Sequence, residues 1–382
     1  MIFVNSPIVN KGNEKKYLNE CIDTGFISSE GPFVKKFENE FSSFCDASFG
    51  IAVCNGTAAL EVAFYAIGIQ PGDEVIMPSF TIISCATAII RLGGIPVLVD
   101  IDPTNWCMDT TQIEAKISAK TKAILAVNMY GSPVEYDDLY KIADKHNLII
   151  VEDFAETQGA EYFSEYKGGK WLKSGSLGHI GATSFYANKI ITTGEGGMVT
   201  TNNSLYAERA RSYRNLCFIP ETRFLHEEIG YNFRMTNLQA AVGLAQFEQI
   251  DEFVKIKKEK GEYYRELFKD VPFVKFHPVK KNVKSIYWMY SLQLDEKLGL
   301  TAVEMMQRLR VKGIDTRPFF MGMHAQPAFH AIGLFKDEVY PVTEQAYKYG
   351  FYVPSGMGLS KVEMQQVVNA VKDEIQLVIK SV

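Results

Sequence analysis

The chain has 382 residues, 47% of them hydrophobic, enough to bury a large core and build two domains, which excludes an intrinsically disordered protein. Lys and Arg number 40 against 45 Asp and Glu, a formal charge of −5, and neither sign runs in blocks, so nucleic acid and membrane surfaces are excluded in favour of small-molecule partners. The six cysteines, Cys21, Cys45, Cys54, Cys85, Cys107 and Cys217, contain no Cys-x-x-Cys pair, so neither a metal site nor a dense disulfide framework is expected.

At the N-terminus, Met-Ile-Phe-Val-Asn-Ser-Pro has no basic segment ahead of an apolar stretch, and Arg91, Gly93 and Gly94 interrupt the most apolar region, Ile82–Val99. A soluble, cytoplasmic protein is expected. From about Gly50 to Thr201, short β-branched runs alternate with helix-like stretches, the pattern of parallel strands joined by crossover helices. Strands are predicted at Gly50–Cys54, Glu74–Pro78, Ile95–Asp100, Ala123–Asn128, Leu148–Glu152, Ala182–Phe185 and Met198–Thr201. Ala58–Ile69 and Tyr136–His146 have helical spacing of apolar residues, and Ser84–Leu92 is apolar nearly all round. Past Thr236 one long helical pattern covers Asn237 to about Phe268, and a shorter α+β-like region ends in a helix around Lys361–Ile379. The reading is an α/β domain over residues 1–250 and a smaller C-terminal α+β domain over 251–382, with a boundary that a long helix blurs.

Four segments could carry chemistry. Asn55-Gly56-Thr57-Ala58 follows a predicted strand and opens a predicted helix, where glycine allows close approach and the first N–H groups suit a phosphate; a plain Thr N-cap explains it equally well. Val151-Glu152-Asp153-Phe154-Ala155-Glu156 runs a buried-looking strand into carboxylates at the edge where open α/β sheets bind ligands; a solvated strand end or a helix N-cap is the alternative. Ser184 to Met198 is a strand, a turn bearing Lys189 and a glycine-rich return. A lysine that forms Schiff bases must be partly desolvated, and Lys189 has no acidic neighbour until Glu195, although most lysines are simply solvated. A nucleotide-loop reading of Gly194–Gly197 is poor, because neither G-x-G-x-x-G nor G-x-x-x-x-G-K-[ST] appears. Gly230-Tyr231-Asn232-Phe233-Arg234-Met235-Thr236 leads into the long helix; Thr236 can cap it, but a turn needs neither Asn232 nor Arg234.

In this order and at these separations, the four segments resemble the sugar aminotransferases of fold-type I, the aspartate-aminotransferase-like enzymes that depend on pyridoxal 5′-phosphate (PLP). The resemblance extends from Ile27-Ser28-Ser29-Glu30-Gly31-Pro32 and Phe37-Glu38 to Arg317-Pro318-Phe319-Phe320 and Tyr352-Val353-Pro354-Ser355-Gly356. It implies an α/β fold with a mainly parallel central sheet, with Lys189 as the cofactor-bearing lysine and Asp153 on the pyridine nitrogen. It also implies Glu156 beside the phenolic oxygen, and Gly56, Thr57 and Ser184 at the phosphate. Asn232 matches a residue that reaches the phosphate of the neighbouring subunit, which implies a homodimer with shared active sites. Two positions depart from the family: Ile82 stands where an aromatic residue normally stacks on the cofactor, a difference of roughly 1 kcal/mol, and Phe154 stands where Ala is common, so a reshaped pocket is expected there.

The resemblance implies a ping-pong cycle through pyridoxamine 5′-phosphate, with L-glutamate as amino donor. Relatives with His in place of this lysine are sugar 3-dehydratases, so Lys189 favours amino transfer. Gly313 to Phe320, with Met323-His324 and Gln326-Pro327, looks most like the branch that aminates C4 of GDP-4-keto-6-deoxymannose for surface polysaccharides. On that likeness Arg317 and His324, with Ser29 and Tyr186, would face the substrate; a surface ion pair and a packed histidine are the plainer readings of the first two. A small phosphorylated ketone as substrate, and a non-catalytic sensor or scaffold on the same fold, stand as alternatives.

Overall fold

The computed structural model describes residues 1–222 and 224–381. Helices α1 (Glu14–Thr24) and α2 (Pro32–Phe44) come first. Proline at the first turn of α2 suits a helix start, where its missing N–H loses no acceptor, and Phe33, Phe37 and Phe41 bury one face of that helix. The strands follow as β1 (Phe49–Val53), β2 (Glu74–Pro78), β3 (Ile95–Val99), β4 (Thr121–Val127) and β5 (Ile149–Asp153), then the hairpin β6 (Glu161–Ser164) and β7 (Lys170–Lys173), then β8 (Ile180–Ser184) and β9 (Gly197–Thr201). Seven of them form the central sheet in the order β1-β9-β8-β5-β4-β2-β3. All seven predicted strands are present, within two residues at either end.

The pairs from β8 across to β3 are parallel; α3 (Gly56–Ile67) leads from β1 to β2, α4 (Ser84–Arg91) from β2 to β3 and α5 (Tyr136–His146) from β4 to β5. Strand β9 runs antiparallel to both β8 and β1. The cause lies in residues 185–196, which form no helix. A parallel return needs a crossover, usually helical, so the chain doubles back and the segment with Lys189 becomes a loop at the C-terminal edge of the parallel strands.

The expectation of one helix from Asn237 to Phe268 is corrected. After α6 (Ser204–Tyr213), α7 (Asn237–Phe247) and α8 (Ile250–Phe268) are separate helices, divided at Gln249, where φ is −111° and ψ 6°. Thr236 and Gln239 form a capping box at the start of α7. Ala240, Ala241 and Leu244 of α7 lie in the first hydrophobic core with Phe37 and Phe41, whereas Tyr264 and Phe268 of α8 lie in a second core with Leu292, Leu309, Phe351 and Val371. One straight helix would not present both faces correctly.

The second core is roofed by the antiparallel sheet β10-β12-β14-β13, made of β10 (Val274–Phe276), β12 (Tyr290–Leu294), β14 (Gly350–Val353) and β13 (Arg317–Pro318), while β11 (Val283–Lys284) extends the β6–β7 hairpin. Helices α9 (Ala302–Val311), α10 (Pro327–Ala331), α11 (Pro341–Tyr349) and α12 (Lys361–Ser381) complete this part. Asp100, just past β3, ties it to the large sheet. Its carboxylate accepts the Val342 and Thr343 N–H groups at 3.0 and 2.9 Å, so it satisfies the otherwise unpaired amides that open α11. Among the described residues no helix is long and apolar enough to cross a membrane.

Close packing at α8 yields a test. A Cβ on Gly261 would lie 2.2 Å from the Tyr287 ring. In an exposed helix Gly→Ala stabilises by about 1 kcal/mol, but here overpacking at about 1–3 kcal/mol wins. Gly261→Ala is therefore expected to lower the thermal midpoint in calorimetry, and an unchanged or higher midpoint would refute the close approach.

Candidate active site

Three loops converge where β1, β5 and β8 end. After β1, Asn55 is extended (φ −167°, ψ 172°) and its side chain accepts the Ala58 N–H at 2.8 Å. The N-cap of α3 is thus Asn55, not Thr57. Thr57 is left to donate to the Ser84 hydroxyl at 2.8 Å, and the Gly56 and Thr57 amides, in the first turn, lack intrahelical acceptors. A Cβ on Gly56 would come within 2.7 Å of the Ser184 Cβ, so only glycine lets the helix start and the end of β8 approach this closely.

Strand β5 delivers adjacent carboxylates to opposite faces of the sheet. Glu152 is turned into the core, where it accepts Asn128 Nδ2 and the N–H groups of Gly175, Leu177 and Gly178 at 2.9–3.2 Å. Asp153 enters the cavity region, 6% exposed. It takes the Ala155 N–H at 3.0 Å and only a thiol, that of Cys85, at 3.4 Å on its second oxygen. Burial pushes the Asp153 carboxyl up, with the Lys189 charge opposing. Glu156 accepts the Tyr130 N–H at 2.9 Å; burial pushes it up to about 7, again against the pull of Lys189. Phe154 between them does not line the cavity. It is fully buried and stacks on Phe41 at 6.3 Å.

After β8 the chain turns so that the Lys189 N–H meets the Tyr186 carbonyl at 2.9 Å. Lys189 Nζ lies 3.7 Å from Glu156 Oε1 and 4.0 Å from the centre of the Trp288 ring, its side chain 12% exposed. Gly56, Thr57, Ile82, Asp153, Glu156, Ser184, Tyr186 and Lys189 line one cavity of about 670 Å³. Ile82 is exposed at its mouth.

Ser29, Asn232, Arg317 and His324 do not line that cavity. Ser29 is half-buried in the loop before α2. Asn232 is exposed, its side-chain Oδ1 accepting a hydrogen bond from Arg234 Nε at 2.8 Å. Arg317 and His324, which the resemblance placed toward the substrate, have other partners here. Arg317 is committed to a surface ion pair with Asp315 at 2.6 Å. His324 is buried beneath Tyr340, 5.0 Å between ring centres, with Nε2 3.4 Å from Glu344; burial holds its pKa below the ordinary value.

The lining residues that sequence reasoning did not assign to the site include Asn188, Trp288, Phe320 and Tyr352. The aromatic run Ile286–Tyr290 was the available signal, but nothing local links it to a lysine about a hundred positions earlier. Asn188 carries a buried side-chain oxygen with no protein partner, a polar demand left open inside the cavity.

This donor set fits a phosphorylated pyridine aldehyde. Free helix amides suit the phosphate, a buried carboxylate with one weak donor suits a protonated ring nitrogen, and an amine held off bulk water suits the aldehyde. Fold and site together define a PLP-dependent transferase of the α/β class.

The sequence matches the DegT/DnrJ/EryC1/StrS aminotransferase family over residues 9–372, and the chain belongs to that family. It is 40% identical to a GDP-perosamine synthase of Caulobacter vibrioides, over 94% of each chain. It is 37% identical to a GDP-perosamine synthase of Escherichia coli O157:H7, over 95% of each. Among solved structures, DesV of S. venezuelae superposes with a TM-score of 0.87 at 28% identity, covering 95% of this chain and 94% of that one. The protein is a PLP-dependent aminotransferase.

Proposed function

We propose that the enzyme transfers the amino group of L-glutamate to the C4 carbonyl of a GDP-linked 4-keto-6-deoxy sugar, a precursor of surface polysaccharide. The observation that carries this reading is the meeting of Lys189, Asp153 and the start of α3 in one cavity of a chain that is 40% identical to a GDP-perosamine synthase over 94% of its length. When bound, PLP supplies an electron-accepting ring for the carbanion left when the donor's α-hydrogen departs.

The chain supplies the rest. Gly56, Thr57 and Ser184 would hold the phosphate. Asp153 would keep a proton on the ring nitrogen, Glu156 would pair with the phenolic oxygen, and Ile82 would shield the ring from water. Lys189 would hold the cofactor covalently and, as a free amine, would take up and give back the proton at its Nζ. Asn232, exposed and outside its own cavity, reaches the phosphate of a second subunit, so the working unit is a homodimer. Residues 251–382 form a separate domain that sends Trp288 and Tyr352 over the cavity.

PLP-loaded protein incubated with glutamate should pass to the pyridoxamine form. Offered GDP-4-keto-6-deoxymannose, UDP- and dTDP-keto sugars and small keto-phosphates in turn, it should regain its starting spectrum fastest with the GDP sugar and yield the 4-amino product by mass spectrometry. Return with a keto-phosphate alone would replace this substrate class, and no response to glutamate would remove the amino-transfer reading.

A further inference from the structure

An amine that alternates between a covalent bond and a free state needs a place to rest that it can leave without breaking a directional hydrogen bond. Lys189 has such a place. Glu156 Oε1 at 3.7 Å lies beyond hydrogen-bond distance, and the Trp288 ring centre lies 4.0 Å away. Both attract a cation, one by its charge and one by its ring quadrupole, and neither fixes a direction tightly.

Trp288 does not follow the lysine. Its indole Nε1 donates to the carbonyl of Asn188, the residue before Lys189, at 2.8 Å. Its own carbonyl accepts Lys257 Nζ at 2.5 Å, and the same amine donates to the Ser355 carbonyl at 2.7 Å. The ring runs nearly parallel to Tyr130, 7° between planes. Indole and lysine turn are thus held in register from both sides.

We propose that the face of Trp288 is the seat of the Lys189 side chain when it is free of cofactor and carries a proton, so that the proton the neutral amine has taken from the substrate carbon is held there until it is passed on. The inference rests on the role given to Lys189 above. A residue in this position acts on the chemical step more than on substrate binding.

The rate of the glutamate half-reaction should fall about 10-fold in Trp288→Leu, the contribution of a partly desolvated cation–π contact, with KM for glutamate within about 2-fold. Trp288→Phe, which keeps a ring face and loses the indole N–H, should stay within about 3-fold of the natural enzyme. A second readout needs no turnover. In the cofactor-free full chain, Lys189→Met should change the tryptophan emission, and the same substitution made on Trp288→Phe should leave the emission of Trp106 and Trp171 as it was. A Trp288→Leu enzyme of natural rate, a Trp288→Phe enzyme as slow as Trp288→Leu, or emission indifferent to Lys189→Met would each overturn the seat. Should Trp288→Leu fail to fold, Trp288→Phe and the emission experiment decide alone. Transfer surviving in Lys189→Ala would instead sink the role of Lys189 itself, so the two failures are distinguishable.

Discussion

Lys189→Ala is expected to lower amino transfer at least about 1,000-fold, since it removes both the covalent anchor and a general acid–base catalyst that alone supplies roughly 100- to 10,000-fold. Borohydride reduction of the PLP-loaded natural enzyme should fix the cofactor on the peptide containing Lys189, and the variant should carry no such adduct on any lysine. Folding should be little affected. Among the described residues Lys189 is the only cation paired with Glu156, and a carboxyl already lifted to about 7 by burial answers the loss of that cation by taking up a proton rather than by unfolding the chain. An adduct retained elsewhere, or single-turnover amination at the natural rate, would show that another amine does this work.

Why Lys189 could be found in the sequence while its neighbours could not follows from what local sequence encodes. Buried parallel strands read as short apolar runs between turn residues, so all seven strands of the central sheet were legible, as was the lysine loop between Phe185 and the glycines at 194–197. Strand direction is not written in such runs. That β9 returns antiparallel was recoverable only from the absence of a helix in residues 185–196. The division of α7 from α8 is a tertiary demand placed on Glu248 and Gln249, both good helix formers, and no propensity announces it. The direction of a side chain is equally silent. Arg317 looked able to meet an anion, yet Asp315 sits two positions away and takes it; His324 lies under Tyr340. Phe154 left the pocket because Phe41, from α2, offers a stacking partner on the other side of β5. Trp288 and Tyr352 reach the cavity through a topology that only the folded chain displays.

Glu152, one residue before Asp153, should be the costliest position for stability. Its side chain accepts the N–H groups of Gly175, Leu177 and Gly178 and the Asn128 amide from within the core. Glu152→Ala removes the acceptor and strands four donors away from water. At about 1–3 kcal/mol for each unsatisfied group, reduced by local relaxation, a net loss of about 3–5 kcal/mol is expected in urea denaturation. The damage should spread to the active site, because residues 174–178 lead directly into β8, which carries Ser184 and the lysine loop. The pH dependence has a definite sign. Burial lifts this carboxyl from 4.5 to about 7, although its four donors pull it down. Between those values the folded chain binds more protons than the unfolded one, so the contribution of Glu152 is fully present below about 4.5 and declines as pH rises through about 7. Glu152→Gln keeps one acceptor oxygen but turns an NH2 toward the remaining donors. It should lose less stability than Glu152→Ala and should flatten the decline between pH 4.5 and 7. Should urea midpoints of Glu152→Gln follow pH as steeply as those of the natural chain across that window, the titrating group lies elsewhere.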